Sequence, residues 1–243
     1  LHLGRHDVVP GDFPPPRQSE FYYTAHDSLY FQHLLWDVTD YYTAVSDGQL
    51  DLDFSIHARI HNLPEPMGFY GDHPQEGQQP VLLARDVVAA FDQEIDFSLY
   101  DTVLLIHAGA GAETDVLDDS PDQIYSTYLS PDDFVRAYED SVLAQPYLLS
   151  DDFAEGTGVT QVLILPETEY QDSYDSFDGH FGSLGVYCFE IGLRLGMLSL
   201  SDFTPAGRPD SQGIGQYGLM GYGLFVAGGW IPSHPCAFNK VLM

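Results

Sequence analysis

Lysine occurs once in this chain, as Lys240. With arginine included there are 8 basic side chains against 37 acidic ones, a formal net charge of −29. Such a surface repels phosphate backbones and anionic lipid, which excludes nucleic acid and membrane surfaces as partners. It suits a salty medium, high solubility or calcium, and a solvated acidic surface is the ordinary reading. Cysteine is almost as scarce. Cys188 and Cys236 are too few for a disulfide framework. One bridge would require their two segments to pack together, and small buried hydrophobes are the simpler reading. No segment reaches the length of a membrane span, since the apolar stretch from Tyr217 to Pro232 is broken by five glycines and reads as loop. A phosphate loop is missing too. His107-Ala108-Gly109-Ala110-Gly111 has no Gly-Lys-Ser/Thr continuation, and Glu113 and Asp115 would repel phosphate. No Ser-His-Asp or Cys-His order is present, and Cys188 has no evident His partner, which argues against a thiol nucleophile. The chain begins without Met or a signal peptide and stops at Met243 inside a helical pattern. It therefore reads as a processed or partial piece of a longer protein, with an incomplete C-terminal end.

What remains is ample for a core: 243 residues, 44% apolar and 14% aromatic. Residues 1–20 read as an extended arm or linker, because Pro10, Pro14, Pro15 and Pro16 prevent regular pairing. Residues 21–243 read as one domain. Asp27 is a natural N-cap for a helix to Ser46, with Leu34, Val38, Tyr41 and Val45 at helical spacing and Gly48 beyond its end. Leu50, Leu52, Phe54 and Ile56 alternate with Asp51, Asp53, Ser55 and His57, which predicts a half-buried strand over 50–60. His57 and His61 then read as exposed strand residues rather than ligands. A loop over 64–78 precedes a helix over 80–93. Thr102 to Ile106 and Val159 to Leu165 are apolar runs expected to be buried strands, the first leading into a loop at His107. Pro131 opens a short helix or turn through Tyr138. Ser183 to Leu195 is a core helix closed by Gly196. Residues 201–232 read as a Gly-rich loop, with a last helix from Pro235. Strands alternating with helices, then a helical C-terminal part, predict an α/β or α+β fold.

Three blocks carry a resemblance. The first is Asp101 to Glu113, a buried strand running into His-x-Gly-x-Gly-x-Glu. The second is Gly185 to Gly196, containing Phe189-Glu190-Ile191-Gly192-Leu193. The third is Gly213 to Gly221, containing Met220, followed by Pro235 to Leu242. In this order they resemble the immune inhibitor A family of metalloproteases, a zincin with a Met-turn, and residues 37–72 match more loosely. The resemblance implies a twisted mixed sheet, a central former active-site helix and a helical C-terminal part. A zincin helix needs His at two positions four apart, so that both imidazoles share one face and one zinc, beside a Glu acting as general base. In register with the family's H-E-x-G-H-x-L-G and its third, acidic ligand, the metal positions here are Phe189, Leu193 and Ser199. Phe and Leu have no lone pair to donate, and a neutral Ser hydroxyl is a poor zinc ligand. Zinc is therefore not expected, and Phe189 and Leu193 would fill the former metal cavity with apolar volume. Glu190 matches the family's general base. A lone carboxylate supplies only about 10²–10⁴-fold, far less than peptide hydrolysis needs, so a satisfied or partly exposed helix Glu is the favoured reading. Met220 matches the Met-turn, where core packing and the family role coincide.

The resemblance places His107, Gly109, Gly111 and Glu113 at the cleft rim, with glycines allowing a peptide close to the backbone. The alternative is a strand exit whose glycines supply positive φ. A relocated metal site of Glu190, His107, His180 and Asp202 is a minor alternative. Calcium could bind the acidic runs Glu113 to Asp119 and Glu167 to Asp172 through carboxylates and loop carbonyls, although neither matches an EF-hand and solvated surface is the simpler account.

The expectation from sequence is a catalytically inactive, metalloprotease-like domain of an extracellular or cell-surface protein, acting in binding or scaffolding. Its partner would be a protein or peptide, taken up along a sheet edge. Two alternatives stand beside it. One is a subunit of an extracellular assembly, a filament or surface layer. The other is an active secreted zinc metallopeptidase, which requires other residues at 189, 193 and 199 or a rebuilt site.

Overall fold

The computed structural model describes residues 2–3, 26–71, 79–115, 119–150, 157–169, 182–201 and 213–243. In chain order they form β1 (His2–Leu3), α1 (Ser28–Val45), β2 (Ile60–His61), α2 (Met67–Tyr70), α3 (Pro80–Phe91), β3 (Val103–Ala110), β4 (Thr127–Leu129), α4 (Pro131–Glu139), β5 (Leu148–Ser150), β6 (Thr157–Val159), β7 (Val162–Thr168), α5 (Leu184–Arg194) and α6 (Ala237–Leu242). Short 3-10 segments include Ala112–Thr114, Gly215–Tyr217 and Tyr222–Gly229. The class is mixed, α+β, with a small mixed sheet and several helices. Two units divide the chain: Leu1–Val9 with Arg59–Asp172, and Pro10–Ala58 with Ser173–Met243.

The first unit holds a sheet in the order β2-β1-β3-β7-β4. Its first four strands run parallel, and β4 pairs antiparallel with β7 at the end of the order. The arm expected over 1–20 contributes β1, which pairs with β2 and β3. Strands β3 and β7 carry nearly unbroken Val, Ile and Leu because both of their faces are buried. On one face Leu105 and Ile164 join Leu83, Val87 and Phe91 of α3 and Phe134 of α4. Each such fully buried side chain contributes roughly 1.5–3 kcal/mol relative to exposure. Helix α3 begins with Pro at its first position, where the missing N–H costs nothing. Helix α4 starts at Ser130, whose backbone N–H and Oγ–H both donate to the Asp133 carboxylate.

The second unit packs α1 against α5. Asp27 caps α1 by accepting from the N–H groups of Leu29 and Tyr30, both at 3.0 Å. Phe31, Leu35, Val38, Tyr42 and Val45 form its buried stripe.

The predicted strand over 50–60 is absent, and only Ile60–His61 joins a ladder. Its alternation is real, with Leu50, Leu52, Phe54 and Ile56 less exposed than Asp51, Asp53 and Ser55. The segment lies along α1 instead of beside a strand. Thr39 Oγ1 donates to the Leu52 carbonyl, Thr43 Oγ1 to the Leu50 carbonyl, and Leu50 N–H to Ser46 Oγ. Hydroxyls of a helix thus replace a neighbouring strand while one side of the segment stays inward. Among the described residues no helix is long and apolar enough to cross a membrane.

Candidate functional site

Helix α5 starts after Ser183 and ends at Gly196, whose φ of +91° suits glycine. Two of its other glycines mark close approaches. A Cβ at Gly185 would stand 1.9 Å from the Leu224 carbonyl oxygen. One at Gly192 would stand 2.9 Å from Met220 Sδ, 3.1 Å from Tyr42 Oη and 3.3 Å from Met197 Sδ. The helix therefore rests on Met220 at Gly192, and Met220 itself is fully buried. The Met220 turn is fastened to the segment that follows α5, since Leu200 N–H donates to the Met220 carbonyl at 2.6 Å. Asn239 of α6 secures the same segment. Its Oδ1 accepts from Leu198 N–H and its Nδ2 donates to the Leu198 carbonyl.

Phe189 and Leu193 lie one turn apart on α5, and both are half-buried. Ser199 follows beside Leu200, and its Oγ accepts from Ser201 N–H at 3.5 Å. The carboxyl of Glu190 is buried, with the residue 6% exposed. Hydrocarbon therefore occupies both positions at which the resemblance would require histidine, next to a sequestered Glu.

The inner side of α5 is tied to α1. Tyr42, fully buried, donates from Oη to the Cys188 carbonyl at 2.5 Å, and its neighbour Tyr41 donates to the Ser233 carbonyl at 2.6 Å. Burial, reinforced by Cys188, Tyr41 and Glu190, pushes the Tyr42 phenol well above its usual range, so it remains a donor. Burial and the Asp37 charge push the Cys188 thiol up as well, the opposite of what a thiolate nucleophile requires. Both cysteines are free thiols. The Tyr42–Cys188 bond spans 146 positions, and nothing in either local sequence announces it.

In the first unit, β3 continues through His107 to Ala110, past the expected exit at Ile106. His107 is 2% exposed, pairs in register with Pro166 and has Nδ1 3.0 Å from the Ala108 carbonyl oxygen. The register shifts between His107 and Ala110, where Gly109 takes a φ of +83° and donates its N–H to Glu167 Oε2. Gly111 has an ordinary negative φ of −73°. Its lack of a Cβ serves another purpose, since a Cβ there would meet the Glu113 carboxyl carbon at 2.6 Å. Glu113 accepts from the N–H and the hydroxyl of Ser126. Beside it, Thr114 Oγ1 lies 3.2 Å from Glu169 Oε2, and Glu169 is 1% exposed. The two acidic runs singled out in the sequence thus meet at Glu113 and Glu169. Ser126 had no signal of its own.

Of the relocated metal set, His107 falls in the first unit and Glu190 in the second, while His180 and Asp202 lie outside the described residues. Among the described residues no group of three or more His, Cys, Asp or Glu side chains is disposed to hold a metal ion. No family model matches this chain, and no curated protein matches it.

Proposed function

We propose that this chain is a metalloprotease-like domain of an extracellular protein that binds an extended protein segment without catalysing its cleavage. The observation that carries the reading is the seat of α5 on Met220 through Gly192, beneath a helix whose two motif histidine positions are Phe189 and Leu193. This packing supports the resemblance to the immune inhibitor A family, while Phe189 and Leu193 offer a metal no lone pairs. Glu190 then has no activated water to deprotonate. Binding needs no metal. Strand β4 ends the sheet order, and an extended segment laid beside it would gain main-chain hydrogen bonds.

The test is zinc content together with casein hydrolysis by the purified protein. Substoichiometric zinc and no chelator-sensitive cleavage are expected. Stoichiometric zinc with cleavage that chelator abolishes would establish the active peptidase instead.

A second reading, a subunit of an extracellular assembly, is favoured by exposed apolar side chains in the C-terminal segment, Tyr217 at 90%, Ile231 at 68% and Val241 at 85%. Sedimentation with and without calcium decides it. A monomer at every concentration in both conditions rejects assembly.

A further inference from the structure

We propose that Glu113 and Glu169, with the Thr114 hydroxyl and the Gly111 carbonyl, bind one Ca²⁺ ion. The proposal stands independently of the protease reading, since all four residues belong to the first unit.

The argument starts from donors and acceptors. Glu169 is 1% exposed, and among the described residues its buried Oε1 has no hydrogen-bond partner. Its Oε2 accepts from the Thr114 hydroxyl, which also lies 3.1 Å from the Gly111 carbonyl oxygen. The Gly111 carbonyl also accepts from Thr114 N–H at 3.3 Å, so the single hydroxyl hydrogen can serve Glu169 Oε2, and among the described residues Glu169 Oε1 is the oxygen left without a hydrogen. The Glu113 carboxyl is within hydrogen-bonding reach of Glu169 and takes its own donors from Ser126. Among the described residues neither carboxyl pairs with Arg, Lys or His. The result is an oxygen cluster, with Glu169 buried and Glu113 half-buried, in which one buried carboxylate oxygen lacks a hydrogen, and it points to a cation.

Electrostatics agree. Burial first, and then the Glu113 charge, push the Glu169 carboxyl well above the usual carboxylate range. The oxygen-only set is hard, and it mixes carboxylate, hydroxyl and carbonyl donors from the 3-10 turn after β3 and the residue after β7. Calcium accepts such variable geometry. Magnesium demands a near-ideal octahedron, and zinc prefers nitrogen and sulfur. A net charge of −29 also concentrates divalent cations around the chain.

The competing occupant of the same cluster is a proton shared between the two carboxyls. Glu169→Gln separates the two, because the amide imitates a protonated acid but removes the charge a cation needs. The full chain is stripped with chelator at pH 7, then titrated with Ca²⁺ alone by calorimetry and by thermal melting. The expected result is one saturable site with a rise in Tm in the parent and in the surface control Glu139→Gln. In Glu169→Gln the affinity falls roughly tenfold or more and the Tm rise is lost. If Glu169→Gln fails to fold, Glu113→Gln is read by the same criterion. No saturable calcium binding by the parent, or equal binding by parent and variant, overturns the proposal and leaves the shared proton.

Discussion

Tyr42 of α1 and Cys188 of α5 are joined by a phenol-to-carbonyl hydrogen bond of 2.5 Å inside the second unit, where Tyr42 is wholly buried. Removing the hydroxyl with Tyr42→Phe keeps the ring and deletes this bond. The Cys188 carbonyl stays within the α5 ladder, so the expected cost is modest, about 1 kcal/mol. Urea unfolding should show a lower midpoint at unchanged slope. An unchanged midpoint would mean the bond contributes nothing net.

Gly192→Ala places a methyl against Met220 Sδ, Tyr42 Oη and Met197 Sδ. Alanine gains up to ~1 kcal/mol in helix propensity, whereas overpacking costs roughly 1–3 kcal/mol. A net loss of about 1 kcal/mol is expected, read as a lower melting temperature. Stabilisation would show that the two sulfurs yield freely.

Introducing Phe189→His, Leu193→His and Ser199→Asp together tests the proposed zincin register. The triple variant is expected to take up stoichiometric zinc where the parent takes none, measured by metal analysis after dialysis. No zinc in a folded triple variant counts against the alignment of α5 with a zincin helix.

Asp133 supplies a pH dependence with a definite sign. Burial pushes its carboxyl up, but the bonds from the Ser130 side chain and backbone, and then Arg136, more than offset this and leave its pKa lowered. The unfolded chain therefore binds more protons than the native one below about pH 4, and stability rises with pH there. The contribution is fully present above the unfolded pKa and is lost as pH falls through the folded one. Asp133→Asn should flatten this part of the acid unfolding curve, and an unaltered curve would remove the capping box from the acid response.

Local signals were legible where the cause was local. Asp27 and Gly196 mark helix ends because capping is decided within a few residues. The apolar runs of β3 and β7 follow from burial on both faces. The alternation over 50–60 misled because period two reports which side faces inward, not what the backbone bonds to. Thr39, Thr43 and Ser46 satisfy that backbone from a helix. Short β1, β5 and β6 escape notice because two or three residues carry no period. At the site, the shared face of Phe189 and Leu193 follows from spacing alone. The meeting of Glu113 with Glu169 depends on how β3 and β7 pair and could not be read from either acidic run.

The two bonds from Asn239 to Leu198 concentrate the specificity of the last helix in one side chain. Asn239 is wholly buried, while Phe238 and Val241 are 53% and 85% exposed. A donor and an acceptor at one fixed reach are unique to a carboxamide on a single methylene, so Asp loses the donor and Gln overshoots. In a saturation scan scored for folding, position 239 would be a column emptied of every alternative, between neighbours at which nearly any residue survives.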